Sequence, residues 1–314
     1  MQWLDRIGLR LKPRDLYVFM AVVELGTMAK AAERLAISRP VVSKTIIDLE
    51  RVLGVQLLDR TPNGIEPTLY GHTLLKRSVA VFDELRQTTK DIEFLAGPNA
   101  GELRIGCPEH LSAGLLSKVI DRFSRRYPNV LLKMEVGTSA TLQSQSLRER
   151  KCELVIAQQF GSNAGSDIDV GPLFHDRHLI AAGPRSKWLG RRKVGLADLS
   201  EERWILTSLD LEPGAPLFEG YRAIGQEPPR PNIISPSLNL RNGLMPTGRF
   251  LTVIPASVLQ FVPKHQLRRT LPIELPRWEM PVSVFRLKHR SLSRVAELFI
   301  DCVRETAKPL AKRR

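Results

Sequence analysis

The amino-acid sequence predicts an α/β multidomain chain whose helical N-terminal part gives way near residue 97 to alternating strands and helices. Three observations predict it. From residue 13 to 95 apolar residues recur at intervals of three and four, the period of helices with one buried face. From residue 102 onward short β-branched runs alternate with helical stretches, as in a sheet with helices packed on it. Between them lies Gly97-Pro98-Asn99-Ala100-Gly101, a cluster of turn formers suited to a hinge. With 314 residues, 43% of them hydrophobic, the chain has material for two or three globular units.

The first helix is expected over 13–25, with Leu16, Phe19, Met20 and Val23 on one face and Pro13 in its first turn. Gly26 ends it, and Thr27 can cap a second helix running to residue 35, where Ala31 and Ala32 permit close helix approach. Ser38 can cap a third over 39–53. That helix buries Val42, Ile46, Leu49 and Leu53, ends at Gly54, and leaves Arg39, Ser43 and Lys44 outward. Two helices joined by a short turn, the second with a basic N-terminal end, form a unit that sets side chains against base edges in a major groove. The turn Pro62-Asn63-Gly64 then reads as a small hairpin, a wing that brings Arg60 towards a phosphate or the minor groove. A plain three-helix bundle has the same pattern.

Residues 70–95 form one long predicted helix. Leu74, Ser78, Val81, Leu85, Thr88, Ile92 and Leu95 are spaced alternately by four and three, a coiled-coil seam whose simplest partner is a second copy of itself. The alternative is a stripe packed on its own domain.

These residues resemble a known family. Ala31-Ala32-Glu33-Arg34-Leu35, Ser38-Arg39-Pro40-Val41-Val42-Ser43, Leu49-Glu50, the run from Leu53 to Arg60 and Thr68 to Gly71 are similar to the LysR-type signature. The resemblance implies a winged helix-turn-helix over residues 1–69, a dimerising linker helix over 70–97 and a two-lobed effector domain over 98–314, built like a periplasmic solute-binding protein. It implies a cytoplasmic transcriptional regulator whose partners are double-stranded DNA, a small-molecule effector and further copies of itself as a homodimer or homotetramer, with RNA polymerase as an additional partner. The DNA-facing candidates are Thr27, Ser38, Arg39, Pro40, Ser43, Lys44 and Arg60. The family usually carries glutamine where Arg39 stands. Arginine suits a guanine edge and glutamine an adenine edge, so the base preference at that contact is expected to differ.

In the C-terminal region strands are expected at 102–106, 130–136 and 153–157, with helices at 111–126 and 139–150. A second set begins at 178–182 and continues through 204–206, helix 215–224, 232–234 and 250–255. Strand 282–287 and helix 291–307 return to the first lobe. The lobes are therefore about 101–173 with 275–314, and about 174–274, each on a largely parallel sheet. Two crossovers leave a cleft. Ligands of such sheets sit beyond the carboxyl ends of the strands, which picks out Glu109, His110 and Ser112, then Thr138 and Ser139, then Gln158. From the second lobe come Thr207, Ser208, Met245 and Thr247. Thr138 and Ser139, hydroxyls at a helix start, can hold a carboxylate or a sugar hydroxyl; the plainer reading is that Ser139 caps its helix. Family resemblance places the effector pocket at the same positions.

The net charge of +14 points to nucleic acid, but its distribution does not follow the helix-turn-helix. Residues 1–96 hold 14 Lys and Arg against 12 Asp and Glu, and the remainder holds 33 against 21. DNA binding is thus expected to rest on a few positioned cations rather than on bulk charge. Residues 1–15 hold no apolar run and no later stretch has the length of a membrane span, so neither export nor membrane insertion is expected. Phosphate loops, dinucleotide fingerprints, nucleophile elbows and zinc-protease motifs are missing, and an enzyme is not expected. Cys107-x-x-His110 and His175-x-x-His178 each lack a second pair of ligands, so no metal or cofactor is expected. Three widely separated cysteines, Cys107, Cys152 and Cys302, suit a reducing compartment. Cys107 reads either as a redox sensor or, more simply, as a small residue at a strand end.

Overall fold

The computed structural model describes residues 10–62, 64–97, 100–159, 165–261, 269–273 and 279–311. They fall into two compact units, Met1–Thr88 and Thr89–Arg314.

In the first unit α1 (Pro13–Leu25), α2 (Met28–Arg34) and α3 (Arg39–Leu53) follow the sequence spacing. Gly26 stops α1 in the left-handed region at φ 69°, its N–H bonded to the Val22 carbonyl, a conformation costly for any residue with a Cβ. Thr27 caps α2, its hydroxyl accepting the Lys30 N–H at 3.2 Å. Ser38 holds the N-cap position of α3 but its hydroxyl makes no capping bond. Pro40 at the second helical position has no N–H, which removes one of the two donors such a cap takes. On α1 the buried residues are Leu16, Val18, Phe19, Ala21 and Val22, a wider face than expected, with Met20 and Val23 half-buried. The helix is covered from two sides, since Leu74, Leu75 and Phe82 also pack against its cluster.

The wing is β1 (Leu58–Thr61) and β2 (Gly64–Pro67), antiparallel from Leu58↔Pro67 to Thr61↔Gly64. Several signature residues hold it. Glu50 Oε1 accepts the Leu57 and Leu58 N–H groups at 2.8 and 3.4 Å, and the Ile65 N–H reaches the Gly26 carbonyl at 2.8 Å. Thr68 Oγ1 donates to the Gln56 carbonyl and accepts the Gly71 N–H. A Cβ on Gly71 would stand 2.1 Å from the Leu57 carbonyl oxygen, so only glycine fits there. The next helix, α4 (Leu69–Ala96), exposes Val81, Leu85, Thr88, Ile92 and Leu95 along one side. Leu74 is half-buried against the α1–α3 core and Ser78 is fully buried. These two seam positions depart from expectation because the chain itself covers them.

The second unit is built on a mixed sheet ordered β4-β3-β5-β11-β6-β9-β7-β8. β3 (Ala100–Cys107) pairs in parallel with β4 (Asn129–Val136) and β5 (Leu154–Gln158). β7 (Trp204–Leu206) pairs in parallel with β8 (Ile233–Ile234) and β9 (Leu251–Pro255). Two antiparallel strands join these sets, β6 (Ile168–Ala182) and β11 (Glu279–Leu287), with β10 (Arg269–Thr270) at the side of β6. The sheet is therefore less parallel than expected. The difference lies in β6, read from the sequence only at 178–182: residues 168–177 include Gly171, Pro172 and Asp176, poor strand formers. Pairing with β11 makes them a strand, with a register shift at Val282/Ser283 beside Pro172, where a missing N–H is tolerated.

Each lobe has its own core. Leu103, Ile105, Phe123, Val284 and Phe299 belong to the first, with Phe123 and Phe299 edge-on at 5.1 Å. Ile180, Trp204, Leu206, Leu217 and Tyr221 belong to the second. Trp204 Nε1 donates to the Leu199 carbonyl and the Tyr221 hydroxyl to that of Leu196, satisfying both polar atoms inside an apolar cluster. The helices complete the layers. α5 (Glu109–Leu111) runs through a π-turn (Ser112–Leu116) into α6 (Ser117–Arg126), and α7 (Ser139–Thr141) into a second π-turn (Leu142–Ser146). The latter helix stops short of the expected residue 150, because the N–H groups of Lys151 and Cys152 turn back onto the Ser146 carbonyl. α8 (Pro216–Ala223) and α9 (Leu238–Leu244) serve the second lobe, α10 (Ala256–Phe261) packs against the first lobe's π-turn Ser112–Leu116 and against β6, and α11 (Arg294–Ala311) returns to the first lobe.

Candidate functional site

The sheet sets the carboxyl ends of its strands around a cavity of about 290 Å³ within the second unit, close to the lower end of ligand pockets at roughly 300 Å³. After β3, Pro108 turns the chain so that Glu109 and His110 reach the wall; after β4 come Gly137, Thr138 and Ser139; β5 supplies Gln158. From the other side Thr207 and Ser208 follow β7, and Leu238 and Arg241 come from α9. Val136, Pro216, Val253, Ile254 and Val258 give the wall an apolar stretch.

Seven of the ten effector candidates thus meet at one cavity: Glu109, His110, Thr138, Ser139, Gln158, Thr207 and Ser208. Ser112, Met245 and Thr247 do not line it among the described residues. Ser112 lies in the π-turn beyond α5, which carries it past the rim. Met245 is 1% exposed and packs with Ile205 and Phe250, while the Thr247 hydroxyl is spent on the Leu244 carbonyl at 2.7 Å.

Roles within the cavity differ from the sequence reading. Thr138, not Ser139, is the cap: its hydroxyl accepts the Thr141 N–H and the Thr141 hydroxyl accepts the Thr138 N–H, each at 3.1 Å. Ser139 is 2% exposed and its Oγ has no partner among the described residues. Thr207 is likewise committed, donating its N–H and hydroxyl to Asp210 Oδ2 at 2.7 Å each. Glu109 Oε2 crosses between the lobes to accept the Leu238 N–H at 2.8 Å. Gln158 Nε2 lies 3.3 Å from His178 Nε2. Burial, with His178 and the charge of Arg241 nearby, holds His110 down at about 3, so its imidazole is neutral; its buried Nε2 has no partner among the described residues.

Arg241, His178 and Asp210 line the cavity without having been read as effector contacts. For Arg241 a signal exists. It falls between Leu238 and Met245 at spacings of three and four, a cation on the buried stripe of an otherwise apolar turn. Cys107 is fully buried and desolvation pushes its thiol up to about 12. That favours the small strand-end residue over a redox sensor, which needs an accessible thiolate.

In the first unit α3 exposes Ser38, Arg39, Pro40 and Lys44, with Ser43 and Thr27 half-buried. Arg39 and Lys44 make no ion pair among the described residues. Ile47 stands 51% exposed on the same helix, about one helical turn beyond Lys44 and off the buried stripe, an exposed apolar side chain that its spacing alone does not single out. Arg60 belongs to β1, and its side chain lies outside those described.

The profile of the LysR substrate binding domain matches residues 96–308, and that of the bacterial regulatory helix-turn-helix protein, lysR family, matches residues 13–72. Among curated proteins the HTH-type transcriptional regulator TdcA of Escherichia coli (strain K12) is 25% identical over 94% of this chain and 93% of its own. The regulator BenM of Acinetobacter baylyi is 30% identical over 78% of this chain and 80% of its own. Among solved structures, full-length CbnR complexed with its target DNA has a TM-score of 0.63 at 22% identity, covering 94% of this chain and 99% of that one. Full-length BenM has a TM-score of 0.52 at 23% identity, covering 95% and 96%. Two domain profiles in this order, full-length relatives on both sides and a helix-turn-helix followed by a two-lobed cleft make one assignment: the chain belongs to the LysR family of transcriptional regulators.

Proposed function

We propose that the cavity between the two lobes is where this regulator binds its small-molecule effector, and that occupation of it changes how α3 engages double-stranded DNA. One observation carries this reading. His110 Nε2, Ser139 Oγ and Arg241 Nε, all on the cavity wall, are buried and without a partner among the described residues, and a bound molecule would satisfy them. A ligand that bonds to both lobes binds the closed arrangement better than the open one, and that difference in affinity is what can shift an equilibrium.

The reading assigns DNA contact to Arg39, Pro40, Ser43 and Lys44 at the start of α3, with Ser38 and Thr27 beside them and Arg60 in the wing. The DNA-bound relative CbnR supports it. Val81, Leu85, Ile92 and Leu95 along α4 form the dimer seam, and two dimers make the homotetramer that would meet RNA polymerase at a promoter. Residues 1–69, 70–97 and 98–314 are then the reader, the linker and the sensor. Among the described residues no helix is long and apolar enough to cross a membrane, and the cytoplasm is where such a regulator would work.

A mobility-shift assay on DNA upstream of the gene, at low salt and with a ligand panel, tests this. Binding is expected without ligand, with a changed footprint once the cleft is filled. Failure to bind at low salt would overturn the DNA role, and a ligand that fills the cleft yet leaves the footprint unchanged would overturn the coupling.

A further inference from the structure

Arg241 is an unusual residue to find in a cavity wall. It is 4% exposed, and the second lobe holds its guanidinium through two backbone carbonyls, Val253 at 3.2 Å and Pro236 at 3.4 Å. Its Nε–H has no partner and no carboxylate lies within ion-pair distance among the described residues. A buried cation is costly unless it is paired.

Two acids are near enough to favour the charge, Asp210 and Glu109, yet burial outweighs both and pulls the guanidinium below its ordinary value. One oxygen of each acid is bonded elsewhere, and neither acid is within ion-pair distance of Arg241 among the described residues. Glu109 accepts the Leu238 N–H, and Asp210 accepts the Thr207 N–H and hydroxyl. The site therefore has a buried cation whose Nε–H no carboxylate binds among the described residues. Opposite, the first lobe offers the partnerless Ser139 Oγ and His110 Nε2, neutral groups that can donate to an oxygen without adding charge.

We propose that the effector is a small organic carboxylate with an apolar body, its carboxylate held by the Arg241 Nε–H of the second lobe and by Ser139 and His110 of the first. This rests on the cleft being the effector site. The body lies along Val136, Ile254 and Val258. Because the anchors come from both lobes, the carboxylate group itself draws them together.

The test uses the full chain, with benzoate, hexanoate and 2-methylpropanoate against their amides at matched ionic strength, read by thermal shift and calorimetry. The concentration is about 50 mM, above the roughly millimolar Kd expected of fragments of this size. At least one acid is expected to bind at least about tenfold more tightly than its amide. In Arg241→Met and Arg241→Gln that ratio falls towards one, and the second variant covers the case in which the first does not fold. If no acid stabilises the wild type, or the acid preference survives both substitutions, the proposal is wrong. Ser208→Trp, which fills the cavity mouth, separates the two claims. Amides binding as well as acids, and both abolished by the tryptophan, would overturn the carboxylate while leaving the cleft as the effector site. Acid binding that persists in Ser208→Trp would overturn both.

Discussion

Asp176 sits in β6, the strand that passes from one lobe to the other, and is 2% exposed. Its carboxylate accepts the Ser257 N–H at 3.0 Å and the Ser257 hydroxyl. Burial nevertheless prevails over these bonds and raises the carboxyl from 3.8 to about 6. A carboxyl raised on folding contributes stability that is fully present below its unfolded value and is lost as pH rises through the folded one. The full difference, at about 1.36 kcal/mol per unit, is about 3 kcal/mol. Roughly half of that loss has already occurred at pH 5, and essentially all of it at pH 8, which leaves about 1.4 kcal/mol between them.

Asp176→Asn removes the titration but keeps an acceptor for the Ser257 N–H and offers a donor to the hydroxyl oxygen. The expected outcome is that the variant gains about 1.4 kcal/mol on the wild type between pH 5 and pH 8. Urea unfolding of both full chains at the two pH values measures it, and comparing the chains cancels every other titrating group. A difference between them that does not change with pH, or that changes in the opposite direction, would refute the reasoning, because it would mean that burial does not raise the carboxyl.

Three further predictions follow from the first unit. Arg39→Ala should weaken binding at one base pair by about 1–3 kcal/mol, measured with site variants by fluorescence anisotropy; uniform weakening across all sequences would make Arg39 a phosphate contact instead. Leu85→Glu, at a seam position 50% exposed, sets two copies of the charge against each other in a symmetric dimer, and its Kd should rise about 100-fold, near 2.8 kcal/mol, by analytical ultracentrifugation. Gly71→Ala must place a methyl group 2.1 Å from the Leu57 carbonyl oxygen, so unfolding should come about 1–3 kcal/mol earlier; an unchanged midpoint would mean that the wing and α4 separate without cost.

What could be read from the sequence was whatever depends on neighbours along the chain. Gly26 and Gly54 stop helices because of their own backbone freedom, Thr27 caps through a bond three residues away, and the alanines of α2 pack by size alone. Strand ends around the cleft were legible for the same reason, and seven pocket candidates followed from them. The remainder was decided by distant partners. Residues 168–177 have weak strand propensity and become part of β6 only through β11, more than 100 residues later. Thr138 and Ser139 are adjacent hydroxyls that the sequence cannot rank; Thr141 takes the first for a cap, and burial strands the second. Arg241 is the sharpest instance. Its position on an apolar stripe would ordinarily argue against the helix, since a cation there costs more than a leucine contributes. The fold holds it by two backbone carbonyls near two acids that bond to other groups, and a counter-ion from outside the chain would supply the direct pairing that neither acid gives.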